Sequence, residues 1–234
     1  SGGSNGLTFG PDGSLYACEG KGRAITRYAP DGTRSILIDR FDGGRHNSPN
    51  DLVIDRAGRV WFTDPRYGDD HSDRELDHDS VYRIAPTADG SVPWPVTRLT
   101  TDTTRPNGLL LSADERTLYV AQSDYDADAV RQLRAYPVAA DGTLGAPTVL
   151  HDFGEARGID GMCLDTGGNI VATCGWEVSG PGSRIAVFAP DGTVLEEHAV
   201  PEGRPSNCAF GGPGLTDLYV TTLSGHLFRV ANTG

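Results

Sequence analysis

Lysine is almost missing from this chain: Lys21 is the only one among 234 residues, so its 20 cationic side chains are nearly all arginines. Against 32 carboxylates they leave a formal charge of -12. A chain so acidic has no basic face to neutralise backbone phosphates, which argues against a nucleic-acid partner. Long apolar runs are missing too. None approaches the ~18 residues that a membrane-crossing helix requires, and no leader of basic, then apolar, then small residues opens the chain. The expectation is a cytoplasmic protein without a membrane partner. No window of about 12 residues spaces its apolar side chains at the helical period, which removes long surface helices, whereas 31 glycines and 15 prolines supply frequent turns. Cysteine occurs only as Cys18, Cys163, Cys174 and Cys208, never as Cys-x-x-Cys. His46, His71 and His78 lack His-Glu-x-x-His or His-x-His spacing, so a zinc centre is not indicated. The thiols read as small buried hydrophobes, with Cys163 and Cys174 expected to approach each other on paired strands. Neither a Gly-x-Ser-x-Gly elbow nor Gly-x-x-x-x-Gly-Lys is present.

Repetition is what the chain does have. One phrase recurs as Ser4-Asn5-Gly6-Leu7, Pro49-Asn50-Asp51-Leu52, Pro106-Asn107-Gly108-Leu109, Ile159-Asp160-Gly161-Met162 and Ser206-Asn207-Cys208-Ala209. Its polar heads stand at 5, 50, 107, 160 and 207, between 45 and 57 residues apart. Each phrase opens an apolar strand, reverses at a turn such as Arg56-Ala57-Gly58, and returns along an alternating strand such as Val60-Trp61-Phe62. A third strand follows, then in four copies a turn ending in Asp31-Gly32, Asp89-Gly90, Asp141-Gly142 or Asp191-Gly192, and an outer fourth strand. The fifth copy stops at Gly234 before any such strand. This predicts an all-β fold, a single β-propeller domain over 1–234 built of four-stranded blades, with five repeats visible. Two connections exceed a turn: the acidic segment 69–79, expected as a solvated lid, and the segment 123–128. Functional groups concentrate on such loops.

In such a fold the first residue of each innermost strand faces the axis at one end. Asn50, Asn107 and Asp160, from consecutive blades, are therefore expected to converge, flanked by Asn5 and Asn207. They offer oxygen alone, the donor that hard cations prefer, and Ca2+ takes about 6 to 8 oxygens in loose geometry. The residue types leave a second reading open, in which these side chains merely cap strand starts, since Asn-Gly is also a common hairpin turn. At the end of the second strand, Glu19, Asp64, Gln122, Cys174 and Thr222 occupy one equivalent ring. Glu19 and Asp64 there either orient the amides or pair with Arg23 and Arg66.

Taken together, Asn47-Ser48-Pro49-Asn50-Asp51, Trp61-Phe62-Thr63-Asp64-Pro65-Arg66-Tyr67-Gly68, Arg105-Pro106-Asn107-Gly108 and Ile159-Asp160-Gly161-Met162 resemble the gluconolactonase and regucalcin (senescence marker protein) family of calcium-dependent six-bladed propellers. The closest likeness is to its bacterial gluconolactonase-like branch, which Asn5 to Phe9, Ala17-Cys18-Glu19 and Asn207 to Gly212 also fit. The resemblance implies that Asn50, Asn107 and Asp160 hold a divalent cation, calcium or else zinc, manganese or magnesium. It implies metal polarisation of a lactone carbonyl, water attack, and a catalytic pair of Asp160, as general base, and Asn107. The expected substrate is a small sugar-acid lactone such as gluconolactone, with Asn5, Asn207, Tyr67 and Arg45 as candidate substrate contacts. The family's first-blade phrase Glu-Gly-Pro-Val-Trp, source of a further Glu ligand, is absent here. By phase Asn5 would begin a second blade, and weakened calcium binding and activity are expected. Two rival readings keep the fold: hydrolysis of a phosphorus ester at the same site, and a non-catalytic propeller that binds a partner.

Overall fold

Short runs of β-branched and aromatic side chains, broken every few residues by Gly, Asp or Pro, suit pleated strands better than helices, and strands are what they form. The computed structural model describes every residue except Asp69, Ala127 and Gly234. The start of the expected acidic segment, one residue of the second long connection, and the last residue of the fifth repeat thus lie outside the described residues. Two compact units divide the chain, Ser1–Leu109 and Leu110–Gly234.

In the first unit β1 (Ser4–Phe9), β2 (Leu15–Glu19), β3 (Ala24–Tyr28) and β4 (Arg34–Ile38) form an antiparallel sheet in chain order. A small hairpin of β5 (Arg40–Phe41) and β6 (Gly44–Arg45) follows. The second sheet repeats the first with β7 (Leu52–Ile54), β8 (Val60–Asp64), β9 (Ser80–Ile84) and β10 (Val96–Arg98). The third sheet consists of β11 (Pro106–Leu111), β12 (Thr117–Ser123), β13 (Arg131–Pro137) and β14 (Thr148–Asp152). In the second unit β15 (Ile159–Leu164), β16 (Ile170–Trp176), β17 (Ser179–Phe188) and β18 (Val194–Ala199) make the fourth sheet. Among the described residues the fifth sheet consists of β19 (Pro205–Gly211), β20 (Asp217–Thr222) and β21 (Leu227–Val230).

The Asp-Gly turns between third and fourth strands share one device. The carboxylates of Asp31, Asp89, Asp141 and Asp191 each accept the backbone N–H two residues on, at 2.8 to 3.0 Å. Asn and Asp favour turns because they can mimic the backbone in this way. The core of the first unit gathers Tyr16, Ile25, Ile38, Phe62, Tyr82 and Trp94; one core of the second gathers Tyr119, Leu133, Ile159, Ile170 and Phe188. Strand β8 is buried along its whole length. Its apolar residues fill the core, with Trp61 lying under the guanidinium groups of Arg59 and Arg83, but its last two residues are polar.

Candidate functional site

A polar pair buried at a strand end must find hydrogen-bond partners, and Thr63 and Asp64 find theirs in the strand heads and in the segment leading into one of them. Asp64, wholly buried, accepts from the backbone N–H of Asn47 (2.9 Å) and of Ser48 (2.8 Å) and lies 2.9 Å from His46 Nδ1. It thereby fixes the segment that delivers Asn50, which stands just ahead of β7. The Thr63 hydroxyl accepts from Asp51 N–H (3.1 Å) and donates to the Asn107 carbonyl (2.7 Å), joining the heads of two successive repeats. Gly6 N–H donates to the Asn50 carbonyl (2.8 Å), which joins a third.

The second unit repeats the device. Thr173 accepts from Gly161 N–H (3.0 Å) and donates to the Gly161 carbonyl (2.9 Å), while Thr221 donates to the Asn207 carbonyl (3.3 Å). Strand register shifts at the heads of β1, β15 and β19, and such bulges re-aim the side chain they carry. The glycine after the head serves close approach rather than a turn, because neither Gly6 nor Gly161 has a positive φ. A Cβ on Gly6 would lie 2.7 Å from the Asn50 carbonyl oxygen, and one on Gly161 only 2.3 Å from Asn207 Cγ. The hairpin reading of Asn-Gly is thereby replaced: the heads pack on one another.

The head side chains differ. The Asn107 amide is buried and makes no hydrogen bond among the described residues, and neither does the half-buried Asn50 amide. Asn5 is exposed, and Asn207 Oδ1 accepts from the next N–H, that of Cys208 (2.8 Å). Asp160 Oδ2 accepts from Arg157 at 2.5 Å, and the other end of that guanidinium donates to the carbonyls of Gly175 and Pro205, both at 3.1 Å. Asn5, Asn50 and Asn107 are thus linked in the first unit, and Asp160 and Asn207 are neighbours in the second.

The expectations for Glu19 and Asp64, for the acidic segment and for the cysteines are corrected, and the structure gives Arg45 and Tyr67 their places. Glu19 and Asp64 pair with neither Arg23 nor Arg66. Burial pushes the Glu19 carboxyl up, but bonds from Arg34 and Tyr28, each 2.7 Å, outweigh it and hold the group below the usual carboxylate range. The acidic segment is anchored rather than a free lid, because its charges have fixed cationic partners: Asp73 pairs with Arg23 and Arg66, and Glu75 with Arg23. Leu76 is buried in the core, and Asp79 takes Arg74 (2.7 Å) and Asn47 Nδ2 (3.1 Å). Arg45 directs its guanidinium to the Gly22 carbonyl (3.3 Å), and Tyr67 lies half-buried in the segment joining β8 to the acidic one. Cys163 meets Cys208, not Cys174, with sulfurs 3.7 Å apart; in the sheet it faces Val171 while Cys174 faces Ile159. Burial pushes Cys174 up to about 11 and Cys18 well above the ordinary thiol value, so neither supplies a thiolate nucleophile.

Sequence reasoning missed His46, Arg157 and the threonines. The threonines had a signal, since Thr63, Thr173 and Thr221 each precede the ring position of their copy. Among the described residues no three His, Cys, Asp or Glu side chains are placed to hold a metal. The candidate set contains one such side chain, Asp160, and otherwise rests on amide oxygens. Solvent still reaches the polar atoms of the Asn107 side chain, which make no hydrogen bond among the described residues and so stand open to an oxygen-seeking cation. The donor types fit a hard divalent ion.

Antiparallel sheets each led by a polar head, on bulged strands in three of them, define a β-propeller. The lineage is also plain: residues 1–224 match the SMP-30/Gluconolactonase/LRE-like region, and the chain belongs to that family. It is 38% identical over 232 residues to a gluconolactonase of Zymomonas mobilis, covering 94% of this chain and 60% of that protein. With a pentonolactonase of Haloferax volcanii it shares 31% over 228 residues, covering 94% and 67%. A solved gluconolactonase of Xanthomonas campestris matches with a TM-score of 0.81 at 35% identity, over 97% of this chain and 71% of that one. The chain spans about 60% of the length of the Zymomonas relative.

Proposed function

We propose that this protein hydrolyses a sugar-acid lactone, with gluconolactone as the type substrate. The observation that carries the reading is Asp160: it is the one acid among five otherwise amide strand heads, in a chain whose relatives are named for lactone hydrolysis. Arg157 holds the carboxylate in place through its 2.5 Å bond while two backbone carbonyls hold Arg157. The carboxylate takes the proton of the attacking water and returns it to the departing ring oxygen, general acid–base work that contributes typically about 10²–10⁴-fold. Asn50, Asn107 and Asp160 are the residues that would hold a divalent cation of calcium type, which would supply positive charge toward the lactone carbonyl.

The test is acid release from glucono-1,5-lactone, corrected for spontaneous hydrolysis. Asp160→Asn should lower kcat by about 10²-fold or more with an unchanged far-ultraviolet spectrum. Dialysis against a chelator should lower the rate, and added Ca2+ should restore it. Full activity in the Asp160→Asn protein sinks the assignment of the base.

A further inference from the structure

The second unit holds a cavity of about 250 Å³ whose wall contains three arginines, Arg131, Arg157 and Arg204, together with Trp176, Tyr125 and Ser179. In a chain of net charge -12 this clustering of cations is unusual enough to require a reason. A single carboxylate, Glu155, shares the wall, so the cavity is cationic on balance.

Each arginine is placed by a different part of the repeat. Arg131 begins β13, where its guanidinium is fixed by the carbonyls of Gly154 (3.1 Å), Tyr125 (3.2 Å) and Asp126 (3.1 Å). Arg157 and Arg204 stand at one register, three residues ahead of the heads Asp160 and Asn207 respectively. Arg204 is exposed, its guanidinium makes no hydrogen bond or ion pair among the described residues, and its guanidinium carbon lies 4.9 Å from the centre of the Trp176 ring. Stacking on an aromatic face fixes a guanidinium while leaving its in-plane donors open. Trp176 is itself held out by a bulge: the register shifts between Cys174 and Trp176, and Gly175 takes φ 78° there. Only glycine serves at that position, since a Cβ would lie 1.9 Å from the Gly182 carbonyl oxygen.

A guanidinium with free planar donors over an aromatic ring matches a carboxylate, phosphate or sulfonate, whose oxygens accept two parallel bonds. The cavity is also one side chain away from the reacting centre, because Arg157 both lines it and holds Asp160. We propose that this cavity is an anion subsite, and that the protein's preferred substrate is a lactone bearing a second, anionic substituent that Arg204 grips while the ring ester lies at Asp160. The inference rests on the lactonase reading for its chemistry, but the anion subsite can be tested without it.

Two measurements separate the cases. In the first, kcat/KM is compared for glucono-1,5-lactone and its 6-phosphate. The phosphorylated lactone should be favoured about tenfold or more, and Arg204→Gln should reduce that ratio about tenfold, chiefly through KM, as expected for loss of a charge-assisted contact. Equal kcat/KM values, or a fall of both by the same factor in the variant, overturn the proposal. In the second, 6-phosphogluconate and inorganic phosphate are titrated into the protein by calorimetry. Binding that weakens about tenfold in Arg204→Gln supports the subsite even if neither lactone is turned over, an outcome that would remove the lactonase reading alone. No binding of either anion to the unaltered protein overturns the subsite, whatever the lactones do.

Discussion

Asp64 and Asp79 are both buried carboxylates at one polar junction, yet they meet it in different ways. Asp64 is surrounded by donors from His46, Asn47 and Ser48. For Asp79, burial outweighs the Arg66 N–H and the Arg74 guanidinium, and its carboxyl rises from 3.8 to about 6. The folded protein therefore keeps a proton that the unfolded chain has released, so this group's stabilising contribution is complete below about pH 4 and is lost as pH rises through about 6. At about 1.4 kcal/mol per unit, the loss is at most about 3 kcal/mol. Urea midpoints between pH 4.5 and 7.5 should fall in the native protein relative to Asp79→Asn, and an unchanged difference across that window refutes the assignment. The five heads were legible because a residue that recurs at one address declares itself. His46 and Arg157 were not, because each acts through a partner that only folding brings close. Single residues such as Arg45 and Tyr67 carried no periodic signal, and the structure gives Arg45 to a loop carbonyl.

At the scale of the strand, the pairing of head and glycine is a packing device, and it can be broken and mended. A methyl group on Gly161 has no room beside Asn207, 2.3 Å from its Cγ, so Gly161→Ala should destabilise the second unit by about 1–3 kcal/mol, the usual cost of overpacking. Asn207→Ala removes the obstacle. The double variant should recover part of the loss, a coupling that a double-mutant cycle in urea measures directly; strictly additive losses would show that the two strands do not bear on each other here. The strands themselves were readable from alternation and turns, and their order within each sheet followed. What was not readable is where strands run on past the repeat. Strand β17 begins at Ser179, five residues ahead of the expected Arg184, because the bulge at Gly175 lets the hairpin extend. A bulge leaves no trace in the spacing of apolar residues. The Cys163–Cys208 contact was hidden for a related reason, since neighbours in adjacent sheets are separated by a whole repeat in sequence.

Across the whole molecule, charge is the property that composition states without saying where it lies. The chain carries -12 in total, yet the cavity of Arg131, Arg157 and Arg204 is locally positive. An anionic lactone must approach against a repulsive far field before it meets an attractive near one. Screening separates the two, because the Debye length shrinks from about 30 Å at 0.01 M salt to about 10 Å at 0.1 M. Repulsion from distant carboxylates is removed over that range, while contacts a few ångströms long within the cavity are weakened far less. For the 6-phosphate of glucono-1,5-lactone, kcat/KM should therefore rise as salt is raised from about 10 to about 100 mM, the reverse of the fall expected where opposite net charges steer association. The neutral lactone, which feels neither field, should be nearly indifferent. A fall for the anionic substrate would mean that the cavity's field outruns that of the rest of the chain, and a rise for both would point to an effect of salt on the protein rather than on the approach of charge.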